Sequence, residues 1–220
     1  MYLNASKISD HVVFVSVWLQ NLYLDLGIDK NKTSVILSGS DNRVFNTLGK
    51  TPKNKNSKFK LLTHHWSSNW MKGFDLYTHI DKLLSQNQWK DKIEFTYIGN
   101  IDKNLKFMNT KILKPLSGHE LAAEIRNHDI YVTGSLNEPS GNHHIEAALC
   151  GLPVLYIESG GIPEYCQNFG LETTLYNFED RLSYMIQYFD KFTKNIKSYP
   201  HNSEKMCENY LNLFTEIIKE

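Results

Sequence analysis

From residue 59 onward the chain alternates between unbroken apolar runs and stretches with a helical period. The runs are "FKLLTH" at 59–64, "IEFTYIG" at 93–99, "DIYVTGS" at 129–135 and "LPVLYIES" at 152–159. Short apolar runs rich in β-branched and aromatic residues, closed by Gly or Ser, predict strands buried on both faces. "TKIL" at 110–113 and "LETTLY" at 171–176 predict two shorter strands. Between them, "KGFDLYTHIDKLLSQ" at 72–86 places Phe74, Leu76, Tyr77, Ile80, Leu83 and Leu84 on one helical stripe. "GHELAAEIRNH" at 118–128 and "HHIEAALCG" at 143–151 predict further helices, the second stopped by Gly151. The tail predicts two more, roughly 179–192 and 203–219, the first with Leu182, Met185, Ile186 and Phe189 in phase. Strand–helix alternation of this kind predicts an α/β fold, a Rossmann-like doubly wound parallel sheet.

The first fifty residues have a different pattern. "HVVFVSV" at 11–17 predicts a buried strand and "WLQNLYLDLG" a helix closed by Gly27. "TSVILSGSDNRVF" at 33–45 predicts a short strand and a polar loop. Residues 49–58, "GKTPKNKNSK", have no apolar side chain to bury and read as a linker.

With 220 residues, 41% of them hydrophobic, the chain can bury a substantial core. Lys+Arg and Asp+Glu balance at 24 each, so nothing in the charge points to nucleic acid. No apolar stretch reaches the roughly 20 residues of a membrane span, so no transmembrane segment is expected. "MYLNASKISD" lacks a basic region followed by an apolar run, and no signal peptide is expected. Cys150, Cys166 and Cys207 are too few and too scattered for a disulfide framework, which fits a reducing cytosol.

In a doubly wound sheet, ligands gather at the carboxyl ends of the strands. Those ends are the His64–His65 stretch, Gly99–Asn100, the segment of Pro115 and Leu116, the loop 134–141 and the Ser159–Gly161 turn. The richest is "SLNEPSGNHHIEAALCGLPVLYIESGG" at 135–161. Pro139, Ser140 and Gly141 break the chain, and Asn142 is expected to cap the next helix. That helix start would offer free amides and a positive dipole end to an anion such as phosphate. Small residues at Ser140 and Gly141 let a ligand approach the backbone. Glu146, about one turn inside, suits a vicinal diol such as a ribose, and Glu138 suits a second hydroxylated group. Diphosphate flanked by ribose and sugar describes a nucleotide sugar. The paired histidines, His64–His65 and His143–His144, are not expected to bind metal; of these, His64 and His65 are adjacent on a strand and so point to opposite faces, a poor chelate. Trp66 and Trp70 are expected to pack near a domain seam, with an exposed acceptor platform as the alternative.

These residues resemble a known family. "EPSGNHHIEAALCGLPV" followed by "SGGIPE" is similar to the E-x7-E region of retaining GT-B glycosyltransferases, nearest to family four, which includes sucrose synthases and many bacterial polysaccharide-building enzymes. "LLTHHWSSNWMKGFDLY" resembles the family's phosphate-binding segment, with Lys72–Gly73 as its Lys-Gly, and "FTYIGN" and "SGHELAAEIRNHDIYVTGS" follow in the family's order. The resemblance implies the C-terminal half of a GT-B fold. It divides the chain into 1–48, resembling the end of the N-terminal domain and the inter-domain connection, a nucleotide-sugar-binding domain at 59–178, and C-terminal helices at 179–220.

It also implies roles. Glu146 corresponds to the ribose-binding glutamate, Glu138 to the one that faces the donor sugar, and Lys72 to the lysine on the diphosphate; Ser140, Gly141, Asn142 and His143 supply the turn and its amides, and Leu116 joins the nucleotide-sugar site. The family's arginine, a few residues before the lysine, is absent from "THHWSSN", and His65 is the expected substitute. The Phe usual after E-P is Ser140, so the pocket is expected to be more polar than is typical. No metal or other cofactor is implied. The implied activity is hexosyl transfer with retention to a glycan or lipid-linked acceptor, held by an N-terminal acceptor domain that these residues do not supply. Without that domain the chain is expected to be inactive alone. Any contact with the inner face of a membrane would come through it. An epimerase of the same fold and a non-catalytic nucleotide-sugar-binding module are the alternatives.

Overall fold

The computed structural model describes residues 2–219. After a short helix α1 (Tyr2–Ile8), β1 (Val12–Phe14), α2 (Val17–Asp25) and β2 (Thr33–Val35) form a parallel two-stranded unit. The body follows: β3 (Phe59–His65), α3 (Phe74–Leu83), β4 (Ile93–Gly99), β5 (Lys111–Leu113), α4 (Gly118–Arg126), β6 (Ile130–Thr133), α5 (Asn142–Leu149), β7 (Val154–Ile157), α6 (Ile162–Cys166), β8 (Gly170–Thr173), α7 (Phe178–Gln187), α8 (Phe189–Ile196) and α9 (Ser203–Lys219). The body strands form one parallel sheet of order β5-β4-β3-β6-β7-β8. The chain winds outward from β3 to β5, then returns to lay β6 beside β3 and winds the other way. The gap between the ends of β3 and β6 is the switch point at which such sheets open a crevice.

Alternation along β3 sends Leu61 and Leu62 into different cores. Leu61 joins Phe95, Tyr97, Ile130, Val132 and Leu155 under α3 and α7. Leu62 joins Ile98, Tyr131, Val154 and Tyr156 under α4, α5 and α6. Each fully buried Leu, Ile or Phe contributes roughly 1.5–3 kcal/mol. Two such layers explain why the four central strands, β3, β4, β6 and β7, are largely buried, whereas the edge strands β5 and β8 are not.

Several boundaries depart from the pattern. β1 stops at Phe14 because Ser16 caps α2, its hydroxyl accepting from the Leu19 amide. α3 begins at Phe74, not at Lys72, because Trp70–Lys72 form a separate 3-10 turn closed by Gly73 at φ +105°. A Cβ at Gly73 would lie 2.6 Å from the Gly134 backbone, so only glycine lets the two loops touch. The single helix expected at 179–192 is two, broken at Tyr188 (φ −109°, ψ 27°). α1 and α6 were not expected from the pattern; α6 is a single short turn-and-a-half with proline in its first turn.

The N-terminal unit is bonded firmly to the body. Glu164 of α6 accepts from the Val17 and Trp18 amides (2.8 and 2.9 Å), closing the amino end of α2 from outside. Tyr165 donates to the Val15 carbonyl and accepts from the Ser38 amide. Phe45 lies in the α4–α5 core. The stretch 49–58 is without regular structure, yet it is not wholly a spacer. The Lys50 ammonium donates to the His128 carbonyl at 2.6 Å, beyond the carboxyl end of α4, and burial pulls its pKa down to about 8.

Candidate functional site

A cavity of about 570 Å³ lies at the carboxyl ends of β3 and β6, where α4 and α5 begin. Lys72, Leu116, Glu138, Ser140, Gly141, Asn142, His143, His65 and Glu146 all line it, so the candidate residues read from the sequence converge on one space. Phe45, His64, Trp66, Ser67, Ser117, Gly118 and Leu121 complete the wall. A larger cavity, about 820 Å³, opens between Lys50, Asp129, Gly151 and Tyr199. It borders the amino ends of the strands, the edge where ligands of open α/β sheets do not collect.

α5 is built to leave its amino end open. Its cap is Gly141 (φ +76°), not Asn142, which is already the first helical residue, and no side chain accepts from the first-turn amides. The reason is steric: a Cβ at position 141 would meet His143 Cε1 at 2.8 Å and Glu138 Cγ at 3.0 Å. Glycine turns the chain there without using a side-chain cap. The exposed amides and the helix dipole remain available to an anion.

Glu138 is held by the next strand end. The Gly161 amide donates to the Glu138 carbonyl at 2.8 Å, and a Cβ at Gly160 would lie 2.3 Å from that oxygen. The Gly160–Gly161 turn, expected to meet the ligand, instead supports the loop that carries Glu138. That carboxylate is ion-paired with Lys72, which reaches it from the 3-10 turn after β3. Glu146, one turn into α5, accepts from His64 Nε2 at 2.9 Å.

Two of the cavity histidines, His65 and His143, are buried in its wall. Burial holds the His65 pKa well below the usual imidazole range, with the neighbouring His64 and Lys72 adding to the effect. Its Nε2 lies 2.7 Å from the Tyr77 hydroxyl and 3.2 Å from that of Thr63. His65 therefore supplies no charge in place of the absent arginine. His143, bonded to the Thr133 hydroxyl at 3.0 Å, is pushed down in the same way by burial. Lys72 is the only Lys or Arg among the described residues that line the cavity. Trp66 and Trp70 are 67% and 48% exposed in this chain; Trp70 lies against the Phe74 ring with centroids 5.8 Å apart, and Trp66 stands at the cavity wall. Among the described residues, no group of three or more His, Cys, Asp or Glu is placed to hold a metal ion. Among the described residues, no helix is long and apolar enough to cross a membrane.

Phe45 and His64 were not among the sequence candidates. Phe45 arrives from the N-terminal unit, and no local pattern places it near α4. His64 was visible at the strand end, but its partner lies 82 residues away.

Comparison with known proteins agrees with this geometry. Residues 51–183 match the model of the family described as Glycosyl transferases group 1, which is more than half of the chain. The GPI3 subunit of phosphatidylinositol N-acetylglucosaminyltransferase from Saccharomyces cerevisiae is 29% identical over 138 residues, covering 58% of this chain and 29% of that protein. The chain thus spans less than a third of that relative's length. Among solved structures, a glycosyltransferase from Rickettsia africae superposes with a TM-score of 0.76 at 15% identity, over 100% of this chain and 67% of that one. Anabaena HepE in complex with UDP-glucose gives 0.76 at 16% identity, over 97% of this chain and 66% of that one. Similarity at this level of identity speaks for the fold, which these structures share as GT-B glycosyltransferases. With its parallel sheet, switch-point cavity and matched segment, the chain belongs to the glycosyl transferases group 1 family.

Proposed function

We propose that this chain is the donor-binding part of a glycosyltransferase, holding a nucleotide sugar for transfer to a glycan or lipid-linked acceptor with retention. The observation that carries the reading is the convergence of Lys72, the uncapped amino end of α5 and two glutamates on one cavity. The diphosphate sits against Lys72 and the α5 amides, the ribose diol against Glu146 and the transferred sugar near Glu138. The HepE structure, of the same fold, contains UDP-glucose, which makes uridine nucleotides the first ligands to try.

In the reaction, the bond between the anomeric carbon and the diphosphate oxygen breaks. Negative charge grows on the leaving diphosphate while the sugar becomes oxocarbenium-like. Lys72 and the helix amides face that growing charge, and such preorganised groups stabilise it without reorganising. The acceptor hydroxyl attacks from the face the leaving group vacates and gives its proton to the departing diphosphate, so the configuration is kept. The reading calls on no metal. The acceptor, in this proposal, is held by a facing domain outside these residues, because positioning it and excluding water need a second wall over the cavity.

Calorimetric titration with UDP and other nucleoside diphosphates, with chelator present, tests the reading. Binding is expected in the wild type and is expected to weaken about ten- to a hundredfold in Glu146→Ala, the cost of a charge-assisted hydrogen bond. No heat with any of these ligands up to millimolar concentration would count against it.

A further inference from the structure

The two ends of the donor cavity treat their glutamates differently. Glu138 meets a flexible lysine, whereas Glu146 meets a histidine fixed in the sheet. His64 is the penultimate residue of β3, in register with Ile98 of β4. Its own amide donates to the Tyr131 hydroxyl at 3.1 Å, and its ring stands edge-on to Tyr131 with centroids 5.4 Å apart. The His143 ring is perpendicular to it at 6.2 Å. Only 8% of the His64 side chain is exposed, so the ring has one orientation.

That orientation directs Nε2 at Glu146 Oε2, 2.9 Å away. A carboxylate accepts, so the proton is on Nε2. Nδ1 is buried and has no partner among the described residues. The ring therefore makes one side-chain hydrogen bond, and that bond is to Glu146. A glutamate on a helix surface has several rotamers, and ordering it costs free energy when a ligand binds. Here one carboxylate oxygen, Oε2, is already tied, in a side chain that lines the cavity and is still 18% exposed.

We propose that His64 is a positioning residue: it holds the Glu146 carboxylate in one orientation so that Oε1 accepts from the vicinal diol of the donor's ribose. The inference rests on the donor reading above and assigns to β3 a part in selecting ribonucleotides. His64 borders the cavity and, on this inference, acts on the ligand through its bond to Glu146. Its effect travels only through Glu146, so it should be felt only by ligands that carry the diol.

The test is a titration of wild type, His64→Phe and His64→Gln with UDP and with 2′,3′-dideoxy-UDP, each protein first checked by thermal melting. Phe keeps the ring volume and removes the donor; Gln restores an N–H. Wild type should prefer UDP over the dideoxy ligand by about tenfold or more. In His64→Phe the UDP affinity should fall by about tenfold, with the dideoxy affinity within about twofold of wild type, so the preference collapses. His64→Gln should recover most of it. Should the Phe variant fail to fold, His64→Asn, polar but too short to reach Glu146, takes its place with the same expectation. Equal loss for both ligands would mean a structural role only and would overturn the inference, as would a preference that survives His64→Phe. A wild type that binds UDP and its dideoxy form alike would instead strike the assignment of Glu146 to ribose, and this inference would fall with it.

Discussion

Lys72 and Glu138, 66 residues apart in sequence, form an ion pair in the wall of the switch-point cavity. Lys72 comes from the turn between β3 and α3, and Glu138 from the loop between β6 and α5. The pair joins the two loops that flank the switch point of the sheet. It also means that Lys72, the one Lys or Arg in the cavity wall among the described residues, is already partnered; the proposed donor would meet it in that state. A diphosphate must exchange with a carboxylate for the same ammonium.

That competition sets two opposite expectations. Lys72→Ala should weaken UDP binding about ten- to a hundredfold, as the loss of a charged donor predicts. Glu138→Ala should tighten bare UDP by about two- to fivefold, the scale of a partly exposed ion pair, while weakening a nucleotide sugar relative to UDP. Calorimetry on both ligands checks this; weaker UDP binding by Glu138→Ala would mean that the carboxylate organises the phosphate site instead of competing for it.

Gly73 is where the Lys-Gly pair meets the fold. At φ +105°, with the Gly134 backbone 2.6 Å from a built Cβ, alanine must strain its own backbone and push the β6 loop away. Gly73→Ala should cost about 2–4 kcal/mol. Urea unfolding measures it, and a loss under about 0.5 kcal/mol would show that the two loops part without cost.

His144 should make stability pH-dependent. It is fully buried, neither ring nitrogen has a partner among the described residues, and burial, followed by His201 and His64, lowers its pKa to about 3. The unfolded chain binds its proton near the ordinary value of about 6.5. Between those two pH values the unfolded state holds more protons, so stability falls as the pH is lowered through the window and levels off below about 3. His143, depressed the same way, adds to the slope. His144→Leu, similar in size and with no polar atom to desolvate, should melt higher than wild type at pH 5.5 and show a flatter profile. A wild-type melting temperature constant between pH 7 and 5 would argue that the ring is not held neutral.

Glu164 fastens the N-terminal unit to the body through the Val17 and Trp18 amides. Removing a charged cap from a helix start costs about 1–2 kcal/mol. Glu164→Ala should lower stability by that amount and speed hydrogen exchange in β1 and α2 more than in the main sheet. Glu164→Gln, which keeps one acceptor oxygen, should recover part of the loss. Uniform protection across the two variants would place the attachment elsewhere, in Tyr165 and Phe45.

The sequence by itself determined the parallel sheet and the side of it that would bear the site. "IEFTYIG" became β4 residue for residue, because a strand buried on both faces is apolar along most of its length; here only Glu94 is exposed. The E-x7-E spacing placed Glu138 before a turn and Glu146 inside a helix, since both positions depend only on the nearby Pro139, Ser140 and Gly141. Local signals served less well where two local preferences compete. Asn142 is a good capping residue, yet Gly141 holds the cap position because the packing of His143 and Glu138 leaves no room for a Cβ. What only the tertiary structure decided is pairing across the sheet: Lys72 with Glu138, His64 with Glu146, Glu164 with the start of α2. These contacts depend on β6 returning to lie beside β3 and on the N-terminal unit docking against α6. The same order made His65 a neutral ring bonded to Tyr77 and Thr63 rather than a cation, because ionisation follows burial, and burial belongs to the assembled fold.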